Sequence, residues 1–198
     1  MRGESPPALV ARAALAYARR GIPVFPCEPG GKRPLTYNGF WDATADAPRV
    51  AAWWRRWPDA NVGVPTGERS GLLVLDVDSD AGGPDSLVLL ERSHGPLPRT
   101  AKARTGGGGV HLYFRYPAGE TVRNSAGRLG PGLDVRGEGG YVVVPPSRTR
   151  STYEWLDKVP LAEPAWLLRC LWEHWPHSAT SPTAGPGGPT GSGMEPLF

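Results

Sequence analysis

The stretch LLVLDVDSD, residues 72–80, joins a buried strand to a cluster of carboxylates. Its first four residues are apolar, as expected for a strand in the core of a sheet. Side chains at positions i and i+2 of a strand point to the same face, so we expect Asp76 and Asp78 to stand side by side and to need a cation. The alternative is a strand that reaches solvent and opens into a polar turn, which is our interpretation of Asp80. The rest of the sequence has to decide between these two interpretations for Asp76 and Asp78.

The composition indicates one domain with a mild positive charge. The 198 residues include 22 Lys and Arg against 19 Asp and Glu, which is compatible with a polyanionic partner. Cys27 and Cys170 stand far apart and outside any Cys/His cluster, which argues against a disulfide framework and a structural zinc site. Residues 1–21 lack a signal-peptide core, and no run of about 18 apolar residues occurs. We therefore expect a soluble, cytoplasmic protein without a membrane partner.

Apolar periodicity and turn residues divide the chain into helices, strands and a tail. Helical spacing bounded by breaker residues occurs at 8–20, 47–57, 84–93 and 164–175. Strands are predicted at 22–26, 72–77 and 152–155, with glycine-centred hairpins at 102–116 and 132–147. We predict a mixed α/β or α+β domain over residues 1–177. Residues 178–198, rich in Ser, Thr, Pro and Gly, are predicted to form a disordered tail.

Three polar features interrupt strands that are otherwise apolar. They are the Asp76 and Asp78 pair, His111, and Asp134. If the strand ends meet at one edge of a sheet, the carboxylates form the hard-oxygen ligand set that suits Mg²⁺ or Mn²⁺, whereas zinc would call for more His or Cys. Two such ions held close together would support phosphoryl or nucleotidyl transfer.

Five motifs in this order carry a resemblance to a known family. They are GGKRPL (30–35), NVGVPTG (61–67), LDVD (75–78), TGGGGVHLYF (105–114) and GLDVRGEGGYVVVPPS (132–147). Over about residues 8–172 the chain resembles the bifunctional DNA primase/polymerase (Prim-Pol) domain of the archaeo-eukaryotic primase superfamily. The resemblance implies a primase catalytic core, in which an α/β unit packs with an RRM-like sheet unit around a central cleft. It also implies nucleotidyl transfer from dNTP or NTP on a single-stranded DNA template, with two divalent ions, Mg²⁺ or Mn²⁺.

The resemblance assigns roles to individual positions. Asp76, Asp78 and Asp134 match the catalytic metal ligands, and His111 matches a histidine that contacts the triphosphate. Gly109 stands where the family often has serine, so a hydroxyl contact is not expected there. The expected nucleotide-binding set is His111, Arg136, Gly107, Gly108, Gly109, Lys32, Arg33 and Ser147. The expected template-binding set is Arg104 and Trp41.

Several of these residues also have a plainer interpretation. Gly106 to Gly109 either bring backbone N–H groups close to phosphate or simply form a flexible hairpin tip. Arg136 lies two residues after Asp134, so it can pair with that carboxylate or with a triphosphate. The cations Lys32, Arg33 and Arg104 can be solvated loop charges, Ser147 can shape a turn, and Trp41 can stack on a base or belong to the core.

The stretch VHLYF, residues 110–114, predicts where His111 points. Its alternation places Val110, Leu112 and Phe114 on one face, which we expect to pack inward. His111 and Tyr113 share the opposite face, so we expect His111 to face a cleft or solvent.

Two other functions compete with template-dependent synthesis. A non-catalytic single-strand or nucleotide-binding module disagrees with the presence of all three carboxylates and His111. A metal-dependent nuclease would use the same carboxylates, but the histidine and glycine loop favour a polymerase. The sequence has no G-x-x-x-x-G-K-[ST] loop, so we expect a separate helicase or replication protein as a partner.

Overall fold

The computed structural model describes residues 5–164 and 166–173. Within them the chain forms four α-helices and nine strands, so the predicted mixed α+β class is confirmed. The predicted tail at 178–198 lies outside the described residues. None of the described helices is long and apolar enough to cross a membrane. The helices are α1 Pro6–Arg19, α2 Ala47–Arg56, α3 Gly83–His94 and α4 Trp166–Glu173, with a short 3-10 helix at Gly39–Asp42.

The strands form two antiparallel sheets. The smaller sheet has the order β1-β2-β8 and the larger sheet has the order β6-β7-β3-β5-β4-β9. Strand β3, the stretch from which the sequence analysis started, lies between β7 and β5. The strands are β1 Phe25–Cys27, β2 Asn61–Pro65, β3 Leu72–Val77, β4 Ala101–Arg104, β5 Val110–Arg115, β6 Ser125–Ala126, β7 Leu133–Arg136, β8 Tyr141–Val143 and β9 Glu154–Asp157.

Both faces of the larger sheet are covered, which explains the unbroken apolar run in β3. Leu72 and Val74 pack with α1, α2 and the smaller sheet, whereas Leu73 and Leu75 pack with α4 and the apolar side of α3. All four leucine and valine side chains are buried. A strand with two covered faces loses the apolar-polar alternation of a half-exposed strand. Removing one of these leucine side chains to Ala would lower the free energy of unfolding by roughly 2–5 kcal/mol.

The tryptophans of α2 lie on different sides of that helix. Val50 and Trp54, four residues apart, are buried, and the Trp54 indole N–H donates to the Ala60 carbonyl at 3.1 Å. Trp53 and Trp57 are half-buried at the edge of the same core. The helix therefore offers an aromatic surface beside its core-facing stripe.

The predicted second hairpin, residues 132–147, is wrong. Its two strands, β7 and β8, belong to different sheets: β7 pairs with β3, and β8 pairs with β2. The partner strand β2 was not predicted, because NVGVP reads as a turn-rich segment. It is a strand because it pairs with β1 on one side and β8 on the other, and all five of its residues are buried. The sequence-predicted strands at 22–26 and 152–155 also shift, to β1 and β9.

Candidate active site

Strand register brings the predicted polar residues into one row. Asp76 on β3 lies directly opposite Asp134 on β7 and directly opposite His111 on β5. Residues that lie directly opposite one another across neighbouring strands share a face of the sheet. The three side chains are therefore assembled by sheet pairing, although they are far apart in the sequence.

Arg136 closes this row at the β7 side. Its Nη2 atom lies 2.9 Å from Oδ2 of Asp134 and 3.9 Å from Oδ2 of Asp76. The other oxygen of Asp134, Oδ1, accepts the backbone N–H of Gly127 at 3.1 Å. Both oxygens of Asp134 thus have protein partners, and the pairing of Arg136 with Asp134 that the sequence left open is present.

Asp76 is ionised more readily than an ordinary carboxyl group. Burial favours its neutral form, but the hydrogen bond and charge of His111, together with Arg136 and Lys32, lower the pKa of Asp76 overall. Its Oδ1 lies 3.5 Å from Nε2 of His111. A half-buried carboxylate ringed by three cationic or hydrogen-bonding groups is a charged acceptor at neutral pH.

Asp78 follows Val77, the last residue of strand β3, and its backbone N–H still donates to the Gly132 carbonyl at 2.8 Å. Its Oδ1 accepts the backbone N–H of Asp80 at 2.9 Å, so the polar turn begins here. The side chain is exposed, whereas Asp76 is partly buried.

A first cavity nevertheless brings the two carboxylates together. It has a volume of about 430 Å³, and its wall contains Asp76, Asp78, Lys32, Gly107 and Gly109. The turn residue Asp80 also lines it. The Oδ2 atom of Asp80 lies 3.6 Å from Nη1 of Arg150, another lining residue that the sequence analysis did not single out.

Asp76 also lines a second cavity. Its volume is about 250 Å³, and Asp76, His111, Arg136 and Lys32 line it together with Tyr153. The Tyr153 hydroxyl is buried and has no hydrogen-bond partner among the described residues. Asp76 and Lys32 line both cavities, so the two cavities adjoin. Tyr153 was missed because a tyrosine at the start of a predicted strand looks like any core aromatic.

His111 lines the second cavity, in agreement with the expectation that it faces a cleft, but its side chain is only 3% exposed. Tyr113 on the same face is fully buried in the core with α1. The Tyr113 hydroxyl lies 3.2 Å from Nδ1 of His111. Because the Asp76 carboxylate can only accept, we assign the proton of a neutral His111 to Nε2, and Nδ1 then accepts from Tyr113.

The glycine tip between β4 and β5 is an ordered turn. The Gly108 N–H donates to the Thr105 carbonyl at 3.0 Å, so it is used inside the turn. A Cβ at Gly109 would lie 2.5 Å from the Val77 carbonyl oxygen, which excludes a serine here without a backbone shift. At Gly107 the nearest atom would be 3.9 Å away. Close packing therefore requires glycine at 109, while Gly107 borders open cavity space.

Six predicted residues are absent from the walls of both cavities: Asp134 and Gly108, described above, and Arg33, Arg104, Trp41 and Ser147. Arg33 is exposed and pairs with Glu28, with its Nε 2.9 Å from Oε1. Arg104 pairs with Glu154 at 3.2 Å. Trp41 is 59% exposed and packs on Phe40, with ring centroids 4.6 Å apart.

Ser147 also lies outside both cavities, and its position gives it a structural role. It is fully buried, and its hydroxyl accepts the backbone N–H of Val62 at 2.8 Å. A side chain held inside the smaller sheet cannot reach a nucleotide in either cavity. The turn interpretation of Ser147 replaces the nucleotide-binding one.

The donor atoms at the first cavity fit a divalent cation in part. Among the described residues, no group of three or more His, Cys, Asp or Glu side chains is arranged as a metal site. Asp76 and Asp78 do present carboxylates to one cavity, and such oxygens suit Mg²⁺ and Mn²⁺. Asp134 lies opposite Asp76, but Arg136 and Gly127 hold its oxygens.

Comparison with known proteins identifies the family. A comparison with curated proteins finds no significant match. The family model described as bifunctional DNA primase/polymerase, N-terminal (Prim-Pol), matches residues 14–166, which is more than half of the chain. The match spans both sheets and every residue that lines the two cavities. The chain therefore belongs to the bifunctional DNA primase/polymerase family, a family of enzymes.

Proposed function

We propose that this chain is a template-dependent nucleotidyltransferase that makes or extends a primer on single-stranded DNA. Family membership implies primase/polymerase activity in general. The observation that carries the finer proposal is the pair of cavities that share Asp76 and Lys32, one with the carboxylates and the glycine tip, the other with His111 and Arg136. Such an arrangement suits a triphosphate, whose negative charges need both cations and a metal.

The relation of the two sheets supports this placement. The second cavity is lined by Tyr141, Val142 and Val143 from the smaller sheet and by Asp76 and His111 from the larger one. A cleft between two units is a common place for a ligand site. We propose that the sheets correspond to the two units of the primase catalytic core around its central cleft.

The proposed reaction joins a 3′-hydroxyl to the α-phosphate of a bound triphosphate. The hydroxyl oxygen forms a bond to the α-phosphorus as it loses its proton, and the bond from the α-phosphorus to the bridging oxygen breaks, which releases pyrophosphate. Lys32 and Arg136 offset negative charge on the phosphates. Holding the two reacting groups together supplies a further large part of the acceleration.

The carboxylates are assigned to the divalent ion. Mg²⁺ or Mn²⁺ held by Asp76 and Asp78 would neutralise charge at the reacting phosphate. Asp134 is the third proposed ligand and needs its partner Arg136 to turn away, for which a triphosphate offers an alternative anion. His111 is held between Asp76 and Tyr113, and its Nε2–H, which faces Asp76, is the proposed donor to a triphosphate oxygen.

Product length on unprimed single-stranded DNA tests the proposal. The protein is incubated with Mg²⁺ or Mn²⁺ and with either dNTPs or NTPs, and Asp76→Asn serves as the matched inactive variant. New products that require triphosphate and are absent with Asp76→Asn support the proposal. Shortening of labelled DNA without triphosphate would identify a nuclease instead. Nucleotide binding without any product would identify a non-catalytic module.

A further inference from the structure

A second feature suited to nucleic acid lies outside the two cavities. A groove of about 380 Å³ runs between α2 and the loop that follows β1. Thr36 and Asp42 also border it. We call it the aromatic groove, and its main lining residues are Leu35, Tyr37, Arg49, Trp53, Arg56 and Trp57.

The aromatic groove pairs guanidinium groups with indole rings. The Cζ atom of Arg49 lies 5.0 Å from the Trp53 ring centroid, and that of Arg56 lies 4.9 Å from the Trp57 ring centroid. Within residues 5–164 and 166–173, neither arginine forms an ion pair with a carboxylate. Stacking on the rings holds each guanidinium in place while its charge stays available to an anion.

Tyr37 is an unburied aromatic residue on an ordered loop. Its side chain is 100% exposed. The surrounding loop is fixed by hydrogen bonds from the backbone and side chain of Asn38 to Asp42, both 2.9 Å, and from the Thr36 hydroxyl to the Gly39 carbonyl at 2.7 Å. The same bonds satisfy Asp42, the one carboxylate that lines the groove. The groove keeps a positive balance and presents a fully exposed ring.

The groove is close to the active site along the chain. Lys32 lines both cavities and Leu35 lines the groove, and three residues span at most about 11 Å. Aromatic contacts continue this connection, because Phe40 packs on Tyr141 of the second cavity with centroids 5.5 Å apart. One extended polymer can therefore touch the active site and the groove together.

We propose that the aromatic groove is a second, non-catalytic binding site for single-stranded nucleic acid, in which a base stacks on Tyr37 and phosphates contact Arg49 and Arg56. Proteins that bind single strands without sequence preference stack bases on aromatic side chains and contact the phosphates with basic residues such as arginine. An acidic peptide could use the arginines, but it would not explain a fully exposed ring beside them as well as an unpaired base does. The site goes beyond the proposed function and does not depend on catalysis.

Fluorescence anisotropy with two labelled oligonucleotides tests this site, without metal or triphosphate. One is an oligo-dT, and the other is an abasic strand of equal length, which keeps the phosphates and lacks the bases. Tyr37→Ala should weaken oligo-dT binding about tenfold and leave abasic binding within about twofold. The double variant Arg49→Gln/Arg56→Gln should weaken binding of both and reduce the salt dependence of affinity.

Matched controls lie on the opposite face of the larger sheet. Leu89 and Arg92 on α3 are exposed, and α3 packs on the face away from α2. Leu89→Ala and Arg92→Gln should leave both affinities unchanged. Thermal melts should show Tyr37→Ala as stable as the parent protein, because its ring is fully exposed.

Three outcomes would overturn the site. The first is an unchanged oligo-dT affinity in Tyr37→Ala. The second is an equal loss of affinity in the α3 control variants. The third is that an acidic peptide binds the groove while the groove variants leave oligo-dT binding unchanged. The test stays separate from the proposed function, because Asp76→Asn lacks synthesis but should bind oligo-dT normally. If the parent protein makes no product but the groove variants still lose oligo-dT affinity, the polymerase proposal is refuted and the groove proposal stands.

Discussion

Two glycine-rich turns in this protein look alike in sequence and behave differently in the fold. The first, residues 106–109, joins β4 to β5 within the larger sheet. The second, residues 137–140, leaves β7 in the larger sheet and enters β8 in the smaller one. Both border the active site, since Gly107 lines the first cavity and Gly139 the second.

Tertiary contacts separate the two turns. At the second turn the Gly137 carbonyl accepts the Thr66 hydroxyl at 2.6 Å, and the Thr66 N–H donates to the Gly140 carbonyl at 2.9 Å. Its glycines are held by the loop after β2, which draws the following strand toward β2. The first turn closes between its own two strands, with Thr105 N–H donating to the Gly109 carbonyl at 2.8 Å, and its Gly106 carbonyl also accepts the Ser151 N–H at 2.9 Å from the loop before β9. Glycine clusters thus predict a tight turn but not which sheet the next strand joins.

We expect the largest effect from Asp76, the carboxylate that lines both cavities and therefore lies near both turns. Asp76→Asn removes a charge shared by both cavities, so we expect nucleotide incorporation to fall about a hundredfold or more with little change in melting temperature. Asp80→Asn, which alters only the first cavity, is the matched control and should lose less activity. Full activity in Asp76→Asn would remove Asp76 from the mechanism.

The next effect concerns His111, which follows the first turn on β5 and lies opposite Asp76. If it donates to a triphosphate oxygen, His111→Ala should weaken triphosphate binding by roughly 1.5–3 kcal/mol. Calorimetric titration of folded protein measures this loss. Because His111 is buried, the same variant should also melt at a lower temperature. Normal triphosphate affinity per folded molecule would make His111 a structural residue.

The same variant should also change the titration of Asp76. Burial alone raises its pKa, and His111 is the main group that lowers it. Removing the imidazole should therefore raise the pKa of Asp76, so that the carboxylate protonates at higher pH on acidification. Carboxyl ¹³C chemical shifts followed with pH, without metal, report this directly. An unchanged or lower pKa would contradict the contact.

A matched pair of glycine variants compares the turns themselves. A Cβ at Gly137 would lie 2.1 Å from the Val122 carbonyl oxygen, so Gly137→Ala should destabilise the fold by about 1–3 kcal/mol. At Gly107 the added methyl group meets open space, so Gly107→Ala should keep its stability and weaken triphosphate binding instead. Thermal melts and nucleotide titrations distinguish them. Equal loss of stability would show that position 107 is as tightly packed as position 137.

The smallest expected effect is at Arg104, just before the first turn. Its pair with Glu154 is exposed on both sides, so Arg104→Gln should change stability by less than about 1 kcal/mol. If Arg104 contacts template phosphate, this variant weakens oligonucleotide binding, while Glu154→Gln, which frees Arg104, strengthens it. Anisotropy measures both. Unchanged affinity in the two variants would leave Arg104 as a surface ion pair.

Much of this protein can be read from local pattern. The apolar run before Asp76, the first hairpin and the four helices follow from periodicity and turn chemistry within a few residues. The row formed by Asp76, His111 and Asp134 was anticipated as separate polar interruptions in apolar strands. Such interruptions stand out because burying a polar side chain in a covered strand costs free energy unless it is hydrogen-bonded or paired.

The remaining features depend on contacts between distant parts of the chain. Strand β2, the separation of β7 from β8, the burial of His111 and Ser147, and the place of Tyr153 all follow from which strands pair and which faces are covered. Side-chain alternation in VHLYF correctly grouped His111 with Tyr113 but could not say that α1 and the smaller sheet cover that face. Local sequence sets the period and direction of side chains, whereas burial is a property of whatever packs against them from far along the chain.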